Sequence, residues 1–210
     1  MKVLTRFALL LLSLGIFYTA CQPEKPQRLP ILGTWEVVDG DTIYHTIPDF
    51  AFFDQDSQLI TNETFAGKVY VVDFFFIHCP TICPITAREM KRIHDHFIDD
   101  DRVLLLSHTV DPKRDTVAAL KRYARNLGVK PGKWFFLTGD KDAIYEIADD
   151  YFSVALEDPD SPGGFDHSGR FVLVDANRHI RSFCNGTDSL DVKRFIGDIE
   201  RLLKMEYSKP

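Results

Sequence analysis

The chain has 210 residues, of which 45% are hydrophobic and 12% aromatic, and its formal net charge is −6 at pH 7. This composition fits one globular domain with a packed core, and it excludes an intrinsically disordered chain and a small disulfide-built protein. The acidic balance also argues against a general nucleic-acid-binding protein.

The first 20 residues are typical of a secretory signal peptide. Lys2 and Arg6 form a short basic start, and the 14 residues from Phe7 to Ala20 carry no charge. A membrane-spanning helix needs about 20 apolar residues, so this run is too short to cross a bilayer. We therefore predict that residues 1–20 direct export and are then removed.

Cys21 lies at the predicted cleavage point. The sequence Tyr18-Thr19-Ala20-Cys21 resembles a bacterial lipobox, in which the cysteine is acylated and becomes the new N-terminus, although Tyr18 replaces the usual leucine. We therefore expect an exported lipoprotein that acyl chains on Cys21 anchor to the membrane, facing the periplasm. The alternative is an ordinary signal peptide that Cys21 happens to follow. Removal of residues 1–20 takes away two basic residues and no acidic residue, which leaves a net charge of −8.

Residues 21–30 form the predicted tether between this anchor and a folded domain over residues 31–210. Three prolines and few apolar side chains lie in the tether, a composition typical of a linker. From residue 31 to about residue 65, the short apolar pieces Thr34–Val38 and Phe50–Phe53 alternate with turn residues. This pattern predicts an N-terminal β extension.

An alternation of strands and helices follows. Three nearly continuous apolar runs predict strands that are buried on both faces, over Val69–Ile77, Val103–Val110 and Trp134–Leu137. Apolar residues at helical spacing predict one helix over 85–100 and a second that begins after Asp115 or Thr116 and ends at Gly128. This β-α-β-α-β order indicates a parallel sheet.

The last third of the chain completes the pattern. It predicts a helix from about Asp140 to Tyr151, an antiparallel hairpin of Phe171–Val174 and His179–Phe183, and a helix over Ser189–Met205. We therefore predict an α/β fold of the thioredoxin-like type. It has a central mixed sheet with flanking helices, the N-terminal β extension, and a C-terminal β-hairpin followed by a helix.

Cys79 and Cys83 lie where the first central strand should end and its helix should begin. Backbone N–H groups at a helix N-terminus stabilise thiolates, so we expect both thiols to be exposed and to have lowered pKa values. Three residues separate the two cysteines, which lets the pair hold a metal or close a redox-active disulfide. Two thiolates favour Cu(I) or Zn(II) over hard cations. A structural zinc site would need a second cysteine pair, which the sequence lacks.

His167 is the best candidate for a third ligand. It lies in the glycine-rich segment Gly163–Gly169, which in a thioredoxin-like fold would form a loop facing the N-terminus of the first helix. A loop histidine is often a solvated bystander, and the spacing alone leaves both roles open.

Three segments carry a resemblance to a known family. Cys79–Pro84, Val110–Thr116 and Asp166–Ser168 match, in order and approximate spacing, the signature of the SCO/SenC family of copper-binding, thioredoxin-like proteins. The resemblance extends from about Ile47 to Leu203.

The resemblance implies a membrane-tethered copper chaperone that assembles the dinuclear Cu(A) centre of cytochrome c oxidase subunit II. It also implies that Cys79 and Cys83 bind copper as thiolates and that His167 completes the site through an imidazole nitrogen. Such a site suits both Cu(I) and Cu(II). We expect a monomeric domain with no nucleic-acid partner.

A second function stays open from the sequence. In it, Cys79 and Cys83 form the redox-active disulfide pair of a membrane-tethered thiol-disulfide reductase, which acts on exported cysteine pairs and is restored by a thiol reductant protein. Whether the protein is an enzyme depends on which function holds. His167 separates the two, because copper binding needs its imidazole and thiol exchange depends little on it.

Four further side chains have structural interpretations. We expect Cys184 to be a half-buried residue at the end of the hairpin, His78 to be solvated, and Asp111 to fix its own loop. Asp73 stands alone in an apolar strand, where a hydrogen bond would hold it and burial would raise its pKa.

Overall fold

The computed structural model describes residues 28–207. The predicted signal peptide, Cys21 and most of the predicted tether lie outside these residues. Within them, none of the helices has the length and apolar character needed to cross a membrane. Leu29, which belongs to the predicted tether, is buried, and its carbonyl oxygen accepts a hydrogen bond of 2.5 Å from the guanidinium of Arg181.

The described residues form eleven strands and four α-helices. The strands are β1 Trp35–Val38, β2 Asp41–Tyr44, β3 Ala51–Phe53, β4 Leu59–Thr61, β5 Val69–Phe75, β6 Val103–Thr109, β7 Trp134–Leu137, β8 Ala155–Glu157, β9 Phe165–His167, β10 Arg170–Val174 and β11 Ile180–Asn185. The helices are α1 Cys83–His96, α2 Val117–Leu127, α3 Lys141–Asp150 and α4 Ser189–Glu206. The predicted order is confirmed, except that β8 and β9 lie where a loop was expected.

The central sheet has the strand order β11-β10-β5-β6-β7. β5, β6 and β7 are parallel, and β10 pairs antiparallel with both β5 and β11. Every residue of β5 and β6 is buried, as expected for parallel strands with helices on both faces. The mixed sheet, its flanking helices and the C-terminal hairpin confirm the predicted architecture.

Local groups determine where the helices begin and end. The side chain of Thr116 accepts a hydrogen bond from the backbone N–H of Ala119 at the start of α2, and Gly128 ends this helix with a φ of 67°. Asp140 caps α3 in the same way. α1 begins at Cys83, one residue before Pro84, whose ring is tolerated in the first helical turn, and it ends at His96 rather than at residue 100.

The N-terminal β extension consists of two hairpins. All eight residues of β1 and β2 are exposed, whereas the hairpin of β3 and β4 packs on the core through Phe52 and Ile60. Phe53 and Thr138 exchange two backbone hydrogen bonds of 3.0 and 2.9 Å. These bonds hold the second hairpin beside the end of β7.

The order of the strands brings α1 and α2 together. β6 lies beside β5, and β7 lies beside β6 on the far side from β5, so right-handed crossovers place both helices on one face of the sheet. The carboxyl ends of β5 and β6 meet at one edge, next to the loops formed by residues 76–82 and 110–116. In open α/β sheets, this edge is where binding sites form.

Candidate metal centre

The sulfur of Cys79 takes the place of a helix cap at the start of α1. Ile82 is the N-cap residue, and its side chain forms no capping hydrogen bond. The backbone N–H of Cys83 donates to Cys79 Sγ at 3.5 Å, and the Thr81 hydroxyl lies 3.6 Å from the same sulfur. Cys79 Sγ therefore accepts a hydrogen bond from one of the backbone N–H groups that a helix leaves unpaired at its N-terminus.

The two thiols differ in acidity. Burial alone would raise the pKa of Cys79, but the N–H groups of Cys83 and Thr81 and the Thr81 hydroxyl outweigh burial and lower that pKa. Burial raises the pKa of Cys83 far above its ordinary value, and the neighbouring Cys79 adds to the rise. The prediction of two acid-shifted thiols is therefore wrong for Cys83. Cys79 is suited to be the thiolate, and Cys83 keeps its proton in the metal-free protein.

Both cysteines are buried, so the prediction of an exposed position is wrong. The exposed fraction is 7% for Cys79 and 5% for Cys83. A turn at Gly163 lies against the loop that carries them. A Cβ atom on Gly163 would lie 2.8 Å from the ring of Phe76 and 3.2 Å from Pro80. This close approach covers one side of the cysteine pair.

His167 completes a group of three ligand atoms. It is the last residue of β9 and pairs with Ala155 of β8, so the predicted loop is a short hairpin. His167 Nε2 lies 2.9 Å from Cys83 Sγ. One ligand atom from each of Cys79, Cys83 and His167 lies within 4.8 Å of the other two. Burial lowers the pKa of His167, which favours the neutral imidazole that binds metals.

Asp111 and Arg114 hold the Gly163 turn. Asp111 is buried, forms an ion pair with Arg114 Nε, and accepts a hydrogen bond from the Arg114 backbone N–H at 3.3 Å. Arg114 Nη2 donates to the carbonyl oxygen of Gly163 at 3.2 Å. The prediction that Asp111 fixes its own loop is confirmed. Through Arg114, Asp111 also orders the segment that leads to His167.

Asp115 joins the loops around the ligands, a role that the sequence analysis missed. Its Oδ2 atom accepts hydrogen bonds from the Ile77 backbone N–H at 3.0 Å and from the Thr109 hydroxyl at 2.6 Å. The sequence held one signal for this role of Asp115, which is its place in the segment Val110–Thr116 that matches the family signature. Thr116, the last residue of that segment, is the residue that caps α2.

His78 is solvated in the structure. His78 Nδ1 lies 4.0 Å from Asp115 Oδ1, and the His78 side chain is 62% exposed. The prediction for His78 is therefore confirmed.

The remaining two predicted side chains lie in the core. Cys184 is fully buried on β11 rather than half-buried, and it lies outside the ligand group. Asp73 matches its prediction, because burial raises its pKa to about 7 and the Ser107 hydroxyl donates a hydrogen bond to it. Cys79, Cys83 and Cys184 are free thiols, so the structure describes the reduced form of the predicted redox pair.

Two sulfurs and one imidazole nitrogen make a soft ligand set, which suits Cu(I), Cu(II) or Zn(II). Within residues 28–207, no other three histidine, cysteine or acidic side chains converge in this way. A structural zinc site would want a fourth protein ligand, and none of the described side chains supplies one. The donor set therefore fits copper better than structural zinc.

Comparison with known proteins gives a consistent result. The sequence profile of the SCO1/SenC family matches residues 39–204. A SCO1/SenC family lipoprotein from Bacillus anthracis str. Ames is 26% identical, with a TM-score of 0.69, over 75% of this chain and 94% of its own. BsSco, a member of the Sco family of cytochrome c oxidase assembly proteins, is 27% identical, with a TM-score of 0.67, over 77% and 95%. ScoI from Bradyrhizobium japonicum, solved with copper bound, is 27% identical, with a TM-score of 0.63, over 75% and 99%.

Proposed function

The chain belongs to the SCO1/SenC family, and from this premise we propose that it is a copper chaperone. It holds one copper ion through Cys79, Cys83 and His167 and delivers that ion during assembly of the Cu(A) centre of cytochrome c oxidase subunit II. The convergence of two sulfurs and one imidazole nitrogen within 4.8 Å carries the proposal. The copper-bound ScoI and the assembly role stated for the family of BsSco support it.

Each ligand has a property that suits a cargo ion. Cys79 has a lowered pKa, so its thiolate forms more readily than that of an ordinary cysteine. Cys83 has a raised pKa, so it exchanges its proton for the metal, and binding releases that proton. His167 is buried with its Nε2 atom already facing Cys83 Sγ. Oxidation of the two thiols to a disulfide would remove two of the three ligands, which links copper affinity to redox state.

A Cu(I) titration of the full-length protein in detergent, under anaerobic conditions and against a competing chromophoric chelator, tests the site. We expect about one equivalent of Cu(I) to bind the wild type and the control variant Cys184→Ser. Cys79→Ser, Cys83→Ser and His167→Ala should each weaken binding by about a hundredfold or more, because each removes a ligand atom. Unchanged affinity in Cys79→Ser and His167→Ala would reject the site.

We also propose that acyl chains on Cys21 anchor the protein on the periplasmic side of the membrane. The lipobox-like sequence that ends at Cys21 and the similarity to a lipoprotein from Bacillus anthracis support this placement. Metabolic labelling with an alkyne fatty acid should label the wild type and not Cys21→Ser. Equal labelling of the two, or no label on either, contradicts the anchor.

Thiol-disulfide reduction is the second candidate function, and the unequal pKa values of the two thiols favour it. The Cys79 thiolate would attack a disulfide of an exported protein and form a mixed disulfide. Cys83 would then attack Cys79 Sγ, so that the target leaves with both its cysteines reduced and Cys79 and Cys83 become a disulfide. A thiol reductant protein supplies the two electrons that restore the pair.

A strain that carries only His167→Ala separates the two functions. Copper delivery requires the imidazole, so lost oxidase assembly supports the chaperone. Retained assembly supports the reductase, because thiol exchange needs the two cysteines and not the histidine.

A further inference from the structure

A groove between α1 and α2 opens beside the metal ligands. Its volume is about 470 Å³. Cys79 and Cys83 lie at one end, and Ile77, Tyr123 and Leu127 supply apolar surface along it. The groove therefore connects the buried sulfurs to an apolar surface on the outside of two helices.

This groove is the open side of the site. On the other side, the turn at Gly163 packs against Phe76 and Pro80, and Arg114 holds the turn by its carbonyl oxygen. The groove therefore gives a molecule a route to Cys79 Sγ along α1 and α2.

Tyr123 forms a rigid wall of the groove. Its ring stacks on Phe75 with 5.4 Å between the centroids, and it packs edge-on against Phe136 at 5.5 Å. The groove thus presents a fixed aromatic surface.

The rim of the groove is basic, although the chain as a whole carries a net charge of −6. Arg88 and Lys91 line it, and none of its lining side chains is acidic. Lys91 pairs with Asp95 at 2.6 Å. Arg88 Nε lies 3.7 Å from the buried carboxylate of Glu89, which also pairs with Arg92 at 3.1 Å, and the Arg88 side chain is 72% exposed. Arg122 is exposed and lies one helical turn before Asn126, a lining residue, so both are on the same side of α2. Arg88 thus lines the apolar groove on α1, and Arg122 lies beside its lining residues on α2.

We propose that this groove receives an extended segment of the copper acceptor that carries an apolar side chain flanked by aspartate or glutamate. The apolar side chain packs against Tyr123 and Leu127, and the carboxylates pair with Arg88 and Arg122. This docking brings the acceptor's own ligands to Cys79. Apolar burial supplies affinity, and the charge pairs steer the encounter. The inference rests on the proposed function, since it states the chemistry of the acceptor for the same site.

The first experiment measures docking without copper. Three synthetic peptides carry one cysteine activated as a 2-pyridyl disulfide: Asp-Leu-Cys-Leu-Asp, a twin with lysine for aspartate, and a twin with serine for leucine. The Cys79 thiolate forms a disulfide with the peptide sulfur, and the pyridyl group leaves and is protonated to pyridine-2-thione, whose absorbance gives the rate. We expect the reduced full-length protein in detergent to react about tenfold faster with the first peptide than with either twin at low salt. High salt should reduce its advantage over the lysine twin.

Charge reversal tests whether this preference arises in the groove. The double variant Arg88→Glu with Arg122→Glu should favour the lysine peptide, whereas the control Lys121→Glu should keep the wild-type order. Lys121 is exposed on the same helix, where it pairs with Asp56, and helical spacing turns it away from Tyr123 and Asn126. A neutral reagent, 4,4′-dithiodipyridine, should react with all variants at equal rates if the thiol itself is unchanged. An unchanged preference in the double variant, or an equal loss in Lys121→Glu, overturns the docking site.

The second experiment distinguishes this inference from the proposed function. Each variant is loaded with Cu(I) and mixed with the soluble domain of the oxidase subunit II from the same organism. We expect the double variant to keep its Cu(I) affinity and to transfer copper about tenfold more slowly at low salt. Equal transfer rates would overturn the docking site and leave copper delivery standing. If the wild type binds no Cu(I), the proposed copper delivery is wrong. The preference among the three peptides would then still test whether the groove is a docking site.

Discussion

Two histidines of this domain are both buried but have different surroundings. His167 is 8% exposed and His108 is fully buried, and burial lowers the pKa of both, for His108 to about 3. His167 Nε2 faces the thiol of Cys83 at 2.9 Å. Among the described residues, neither ring nitrogen of His108 has a hydrogen-bond partner.

Aromatic rings surround His108 instead. Its ring stacks on Phe74 with 5.2 Å between centroids, and Phe50, Phe52 and Tyr151 lie at 6.0, 5.2 and 6.1 Å. Phe50 and Phe52 belong to the N-terminal β extension, which closes this aromatic cage. The difference shows that burial makes an imidazole neutral, whereas only converging soft donors make it a ligand. At His108, burial also favours the neutral imidazole, but the ring packs among aromatic side chains and its nitrogens have no partner among the described residues.

The largest expected effect comes from the same substitution at both positions. His167→Phe removes one of three ligand atoms and should weaken Cu(II) binding by about a hundredfold. His108→Phe keeps the aromatic packing and should leave copper affinity within about twofold, since the cage holds no ligand atom. Competition titrations against a chelator measure both affinities. Equal losses would show that the two histidines influence copper binding in the same way, and the distinction would fail.

A second effect belongs to His108 alone and concerns acid stability. Between pH 6.5 and about 3, the unfolded chain protonates this histidine and the folded chain does not, so stability falls as the pH decreases through that window. By pH 5 the loss amounts to about 2 kcal/mol, at 1.36 kcal/mol for each pH unit below 6.5. His108→Phe should abolish this loss in urea unfolding at pH 7 and pH 5.

The comparison of wild type with His108→Phe isolates that histidine. Asp73, with a pKa raised to about 7, acts in the opposite direction, because its folded form gains stability as the pH falls from 7. Its contribution is the same in both proteins and cancels in the difference. Parallel pH dependences of the two proteins would refute the assignment to His108.

A third and smaller effect concerns the turn beside His167. Gly163 and Gly164 both have left-handed backbones, with φ of 85° and 88°. A Cβ atom at Gly163 would meet the Phe76 ring at 2.8 Å, whereas nothing lies within 4 Å of one at Gly164. Gly163→Ala should therefore cost about 1 kcal/mol more than Gly164→Ala and weaken copper binding severalfold by displacing the turn. Thermal unfolding and copper titration of the two variants measure the difference, and identical behaviour would mean that the turn does not position His167.

The sequence predicted those features that depend on neighbours along the chain. β5, β6 and β7 end within two residues of their predicted limits, because each is an apolar run between polar turns. Thr116, Gly128 and Asp140 marked helix ends correctly, since capping acts over a few residues.

The surroundings of the cysteines depend on distant residues and could not be predicted from local pattern. Gly163 covers the pair from far later in the chain, and this burial raises the pKa of Cys83. β8 and β9 have three residues each, too few to show a period in the sequence. The spacing left the role of His167 open, and only the family resemblance assigned it to the site.

The clamp formed by Arg181 has a mechanical consequence. Its guanidinium donates to the carbonyl oxygens of Leu29 and Pro30 at 2.5 and 3.0 Å, and it also pairs with Asp175 and Glu206. Tension on the chain before Leu29 would therefore pass first into β11 and α4 rather than into the cysteine loop.

The same clamp lies at the opposite end of the sheet from the thiols. Ile180, next to Arg181, pairs with Val174, and Val174 pairs with Tyr70 near the start of β5, whereas Cys79 follows the end of that strand. β5 has seven residues, a length of about 23 Å at 3.3 Å per residue. A tether attached before Leu29 would thus hold the domain at one end of the sheet. The end that carries Cys79, Cys83 and His167 would stay free to reach a partner.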